Sequence, residues 1–149
     1  MSTASLTKII HCKKKNLIEM VLDIEKYPEF VPWCLDGVIH EKKESIDIIE
    51  IKGDLKVGKK LLNETYSSLV VYHKEKDEIT ATNIDGPLKH LRNEWRFKEI
   101  NDSTQIIFNI DFELKNIFFN AIMKKSFNFG LKKIADAFEK RANYLFKNR

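Results

Sequence analysis

Cysteine, proline and arginine are scarce in this sequence, and it contains no long apolar run. Its two cysteines, Cys12 and Cys34, do not form a CxxC pair, so neither a zinc site nor a disulfide scaffold is expected. This cysteine usage favours a reducing compartment. No stretch approaches the roughly 20 apolar residues of a membrane span, and residues 1–7 lack the apolar run of a secretory signal.

A strong excess of one charge is also missing. The 26 Lys and Arg residues outnumber the 22 Asp and Glu residues only slightly, which gives a net charge of +4. Nucleic-acid-binding domains usually concentrate basic residues on one face, whereas these charges are spread along the chain. The pattern favours solvated surface lysines and no DNA partner, and it leaves open a weak attraction to an anionic membrane surface or to RNA.

Motifs for catalysis are absent as well. The sequence has no Gly-rich phosphate loop, no G-x-S-x-G elbow and no H-E-x-x-H pair. Cys34 fits a small buried hydrophobic residue better than a nucleophile. Asp111 and Glu113 are spaced by two on a strand, and a paired acid and base role would require them to lie in a pocket. We therefore expect a protein that is not an enzyme, without catalytic or metal-binding residues.

The first third of the chain changes its hydrophobic period twice. Residues 6–12 are typical of a strand, and apolar side chains then recur at helical spacing over 14–24. Pro28 disfavours helix at the residue before it and can itself begin a second short helix over 28–31, which Pro32 ends. The sequence thus predicts a strand followed by a short helical pair.

From residue 36 to residue 115 the apolar period is mostly two, interrupted by turn residues, and this predicts six further strands. The alternation is clearest in the last strand. Its predicted inner residues are Ile106, Phe108, Ile110, Phe112 and Leu114. Since Gln105, Asn109, Asp111 and Glu113 alternate with them, the sheet should be antiparallel, with one buried and one wet face.

A long amphipathic helix over 116–146 completes the pattern, with Asn116 as its N-cap and Gly130 as its single glycine. Gly130 marks either a bend or a close approach of another element. At 149 residues, 43% hydrophobic and 32% charged, the chain is expected to be one α+β domain over residues 1–149. A curved antiparallel sheet of about seven strands would grip the helix, and a cavity would form between them.

One octapeptide carries a family resemblance. Residues 27–34, YPEFVPWC, resemble the YPxFxPWC segment of the coenzyme Q-binding START-domain family. That family includes bacterial proteins described as ribosome-association toxins and as oligoketide cyclase or lipid-transport proteins. Residues 21–25, 86–89, 95–97 and 137–142 also resemble family segments, so the likeness extends over most of the chain. Leu88 stands where the family usually has Phe, and residues 66–68 lack a basic residue that is often found there.

The resemblance implies a START-like helix-grip fold and a hydrophobic ligand, foremost ubiquinone or a related isoprenoid lipid, with no covalent cofactor. The protein would act as a carrier or chaperone supporting respiration, in the bacterial cytoplasm and with a transient membrane surface as one partner. Two alternatives stay open: a protein that binds the large ribosomal subunit and blocks subunit association, and a polyketide cyclase or aromatase.

The same likeness indicates which side chains line the cavity, although aromatic residues at these positions could equally pack the core. The predicted lining residues are Tyr27, Phe30, Trp33, Trp95, Phe97, Phe118, Ile122, Phe127 and Leu131.

Overall fold

The computed structural model describes residues 2–59 and 61–146, apart from the side chains of residues 2, 119, 122, 123, 125 and 126. Two α-helices, one 3₁₀ helix and seven strands follow one another in the predicted order. They are β1 Ser2–Ile10, α1 Lys14–Leu22, the 3₁₀ helix Ile24–Glu29, β2 Cys34–Glu44, β3 Ile48–Lys59, β4 Leu62–His73, β5 Glu78–Asp85, β6 Leu88–Ile100, β7 Ser103–Leu114 and α2 Ile117–Phe146.

All seven strands belong to one sheet, and every neighbouring pair is antiparallel. The order is β1-β7-β6-β5-β4-β3-β2, so β1 crosses to the far side of the sheet and pairs with the last strand. This leaves β1 and β2 as the two edges. The predicted α+β architecture, with its sheet of seven strands, helical pair and long C-terminal helix, is confirmed.

The register of β7 is also as predicted. Ile106, Phe108 and Phe112 are buried, and Phe108 and Ile106 lie beside side chains of α2. Asn116 caps α2, because its Oδ1 accepts a hydrogen bond from the Phe118 amide at 3.0 Å. The alternation along β7 and the capping residue after it were therefore enough to predict β7 and α2, between which the candidate site lies.

The short helix differs from the prediction of 28–31. It spans Ile24–Glu29, directly after α1, which ends when the Asp23 amide bonds to the carbonyls of Glu19 and Met20. Pro28 lies inside it rather than at its start. The amides of Phe30 and Val31 both bond to the Tyr27 carbonyl, so the chain already turns where a helix beginning at Pro28 would have continued.

The 3₁₀ helix lies very close to β2 at Gly37. A Cβ atom built on Gly37 would lie 2.2 Å from the Ile24 carbonyl oxygen. That oxygen belongs to the backbone and cannot rotate away, so only glycine allows this approach. Gly37 therefore fixes the segment that leads into residues 27–34 against the sheet.

Candidate functional site

Four aromatic rings converge between the sheet and the second half of α2. The Phe138 ring on α2 lies 5.5 Å from the Tyr27 ring, 5.0 Å from the Phe30 ring and 5.3 Å from the Trp95 ring, centroid to centroid. Its interplanar angles of 90°, 86° and 63° are edge-to-face arrangements, which aromatic pairs favour. We call these four residues the aromatic cluster. It joins the segment 27–34, the sheet and α2.

A small apolar cavity lies beside the aromatic cluster. Its volume is about 20 Å³, little more than the roughly 10–15 Å³ that one water molecule needs. Nine apolar side chains and one charged side chain line it: Leu6, Lys8, Ile10, Trp95, Ile106, Phe108, Leu131, Ile134, Ala135 and Phe138. The space between sheet and helix is thus apolar and almost filled by side chains.

Five predicted lining residues lie in or next to this closed space. Trp95 and Leu131 line the cavity itself. Phe97 is buried and stacks parallel to Trp95 at 6.2 Å, while Tyr27 and Phe30 belong to the aromatic cluster. The Tyr27 hydroxyl donates a hydrogen bond to the Val21 carbonyl, and burial raises the pKa of Tyr27.

Two further predicted residues lie outside the closed cavity: Phe127, which is on α2, and Trp33, which packs against that helix. The Phe127 ring contacts the Phe112 ring of β7 at 4.5 Å. Trp33 is 40% exposed and has a positive φ of 64°, and its ring lies 3.7 Å from where a Cβ of Gly130 would be. Gly130 is therefore a place where another element approaches the helix, one of the two roles predicted for it.

Phe118 is not part of this wall. Its side chain is 69% exposed, and the buried side chains described on α2, namely Leu131, Phe138 and Ala142, begin only at the middle of the helix. Phe118 therefore does not line the cavity in this structure, and its role in ligand binding stays a prediction. The side chain of Ile122 lies outside the described residues.

Sequence reasoning missed several lining residues. Leu131, Ile134, Ala135 and Phe138 follow the i, i+3, i+4, i+7 spacing of one helix face, so this spacing could have identified Phe138. Lys8 has the same parity in β1 as Leu6 and Ile10, so the alternation places it on the inner face, although a charged residue is not expected there.

The residues that could have served as a nucleophile or as an acid and base are not arranged for catalysis. Cys34 is buried, and burial raises the pKa of its thiol, which keeps the thiol protonated and unreactive. Asp111 and Glu113 are half-buried, and neither lines the cavity. Their predicted lack of a catalytic role stays a prediction.

One cluster contains the residue types of a catalytic triad in the wrong arrangement. Ser67 Oγ donates to one oxygen of Asp54 at 2.6 Å, and His40 Nε2 lies 2.8 Å from the other. The hydroxyl and imidazole thus share the carboxylate instead of bonding to each other, so His40 cannot take the hydroxyl proton. The Ser67 hydrogen bond, with a smaller contribution from His40, lowers the pKa of Asp54.

In the described part of the chain, no three His, Cys, Asp or Glu side chains are grouped closely enough to hold a metal ion. Among the described helices, α2 included, none is both long and apolar enough to cross a membrane.

Comparison with known proteins identifies the family. The family model described as polyketide cyclase / dehydrase and lipid transport matches residues 18–139. A Rickettsia prowazekii protein named ribosome association toxin RatA is 31% identical over 95% of this chain and 96% of its own length. A Dictyostelium discoideum protein named coenzyme Q-binding protein COQ10, mitochondrial, is 30% identical over 97% of this chain and 70% of its own.

A solved structure shows the same fold. A START superfamily protein from Mycobacterium smegmatis superposes with a TM-score of 0.81 and 19% identity, over 97% of this chain and 99% of that one. Together with the sheet that grips α2, these matches establish that the chain belongs to the polyketide cyclase / dehydrase and lipid transport family and has its START-like helix-grip fold.

Proposed function

We propose that this protein binds ubiquinone or a related isoprenoid lipid between the sheet and α2, and acts as a carrier or chaperone that supports respiration. The observation that carries the proposal is the lining of the cavity, in which nine of ten side chains are apolar. An isoprenoid tail buries many carbon groups, and each buried CH₂ contributes about 0.8 kcal/mol to binding. The name of the coenzyme Q-binding relative supports the choice of a quinone.

Binding requires the closed cavity to expand, because ligand sites usually enclose about 300–1,000 Å³. The first half of α2 is suited to this movement. Between Ile117 and Gly130 no described side chain is fully buried, and Phe118 and Phe129 are exposed. Displacing this half would break the contact of Phe127 with Phe112, whereas displacing the second half would break every contact of Phe138 in the aromatic cluster.

The cavity offers little support for a cyclase. Lys8 is the one ionisable side chain in its described lining, and it is paired with two carboxylates. A cyclase needs a general acid and base within reach of its substrate. Binding without chemistry fits this lining better.

A second candidate function is binding to the large ribosomal subunit. It is favoured by the name of the Rickettsia relative and by the exposed basic side chains of α2, which include Lys124, Lys132, Lys133 and Lys140. If the protein contacts RNA phosphates, it should co-sediment with large subunits, and this binding should weaken steeply as salt rises from 50 to 200 mM. Sedimentation that is absent at 50 mM salt, or unchanged by salt, would remove this candidate.

Two aromatic truncations test the lipid site. We expect Trp33→Ala and Phe127→Ala each to weaken decylubiquinone binding about tenfold while the protein stays folded, since an aromatic contact with a ligand is worth about 1.4 kcal/mol. Binding can be measured by equilibrium dialysis, and folding by circular dichroism.

Phe129→Ala is the matched control, because Phe129 is on the same helix but 65% exposed. It should bind as the unchanged protein does. The site assignment fails if Trp33→Ala and Phe127→Ala also bind normally, or if both unfold the protein.

A further inference from the structure

An open groove runs between edge strand β1 and α2. Its volume is about 410 Å³, within the range of lipid and cofactor sites. Its floor is apolar, made by Leu6, Leu131 and Ala135. Polar side chains surround the floor: Ser5, Thr7, Lys8, Asn128, Lys132 and Asp136. We call it the β1–α2 groove.

The β1–α2 groove continues into the closed cavity. The two spaces share Leu6, Lys8, Leu131 and Ala135, so these side chains form the partition between them. β1 has a neighbouring strand on one side alone. At its free side the partition can therefore separate from α2 without breaking any hydrogen bond of the sheet.

Lys8 is the charged part of that partition. Its Nζ lies 3.0 Å from Asp136 Oδ1 and 3.3 Å from Glu139 Oε1, so a single ammonium joins β1 to two successive turns of α2. Both acidic residues of α2 are engaged in this way. The ion pairs are partly exposed, and such pairs are weak enough to open and close readily.

We propose that the β1–α2 groove is the outer part of the lipid site, where the apolar tail enters and lies, and that the Lys8 ion pairs hold the partition closed. This inference rests on the proposed function. The continuity of the groove with the cavity and its apolar floor select a hydrocarbon chain as the occupant. The weak partition explains how a cavity of about 20 Å³ can receive a ligand.

Decylubiquinone binding, followed in a stopped-flow instrument by quenching of tryptophan fluorescence, tests the inference. Trp95 lines the cavity and so reports arrival of the quinone. Lys8→Met keeps an apolar stem but removes the ammonium. Loss of two partly exposed ion pairs should make both association and release about fivefold faster. Lys8→Arg, which keeps the charge, should restore rates close to those of the unchanged protein.

Lys14→Met is the matched control. Lys14 forms an ion pair with Asp77 at 2.9 Å that is about as exposed as the Lys8 pairs, but it joins α1 to the β4–β5 turn. Lys14→Met should bind and release decylubiquinone at the rates of the unchanged protein. If quenching occurs but Lys8→Met behaves like Lys14→Met, the groove is not the route and this inference is overturned while lipid binding stands. If the unchanged protein shows no quenching at all, both proposals are overturned.

Discussion

Phe138→Ala is expected to lower the free energy of unfolding by about 4 kcal/mol, in the range of about 3–5 kcal/mol for a buried aromatic truncation. The Phe138 side chain is 3% exposed and contacts the rings of Tyr27, Phe30 and Trp95. Its removal would leave a cavity among three elements that cannot all move together. Urea denaturation followed by circular dichroism measures the loss as a lower midpoint.

Phe129→Ala provides the comparison for stability as well as for binding. Phe129 is on the same helix but exposed, and it contacts the Lys133 ammonium at 4.9 Å from the ring centroid. Its truncation should cost at most about 1 kcal/mol. A loss for Phe138→Ala no larger than that for Phe129→Ala would mean that the aromatic cluster does not hold α2 on the sheet.

Gly37→Ala is expected to destabilise the protein by about 3 kcal/mol, the upper part of the usual range for overpacking. The new Cβ would lie 2.2 Å from the Ile24 carbonyl oxygen, and relief requires the 3₁₀ helix to move away from β2. Because residues 27–34 follow directly, the aromatic cluster would be disturbed too. Thermal and urea unfolding measure the stability loss.

A glycine-to-alanine substitution at Gly130 should instead raise the free energy of unfolding. There the nearest atom to an added Cβ is a carbon of the Trp33 ring at 3.7 Å, an ordinary contact distance. Alanine is favoured over glycine inside a helix by about 1 kcal/mol, so Gly130→Ala should stabilise by up to that amount. If Gly37→Ala were as well tolerated as Gly130→Ala, the close packing of the 3₁₀ helix on β2 would be wrong.

Local patterns explain why the architecture was predictable from the sequence. The alternation around Phe108 allows one face to be buried, and a shift by one residue would turn Ile106, Phe108 and Phe112 outward. Gly86 has a φ of 120° in the turn between β5 and β6, where glycine and proline had indicated it. The hydrogen bond that Asn116 Oδ1 accepts from the Phe118 amide caps α2 at the predicted residue.

The parts that escaped prediction depend on contacts between distant segments. Trp33 adopts a positive φ although tryptophan has no preference for it, and the hydrogen bond of its carbonyl with the Gly58 amide holds that conformation. Phe118 is an apolar residue of an amphipathic helix, yet its side chain is 69% exposed. Lys8 meets Asp136 across 128 residues of sequence. The period of β1 places Lys8 on the inner face, but no period or local motif predicts its partner, the conformation of Trp33 or the exposure of Phe118.

Native mass spectrometry tests the central claim most directly, that the space between the sheet and α2 accepts a quinone. The protein would be incubated with vesicles containing ubiquinone, separated from them and sprayed under non-denaturing conditions. The account predicts a species carrying one quinone per chain, reduced in abundance by Trp33→Ala and Phe127→Ala but not by Phe129→Ala. A spectrum with the bare chain alone, from protein shown to be folded, would contradict it.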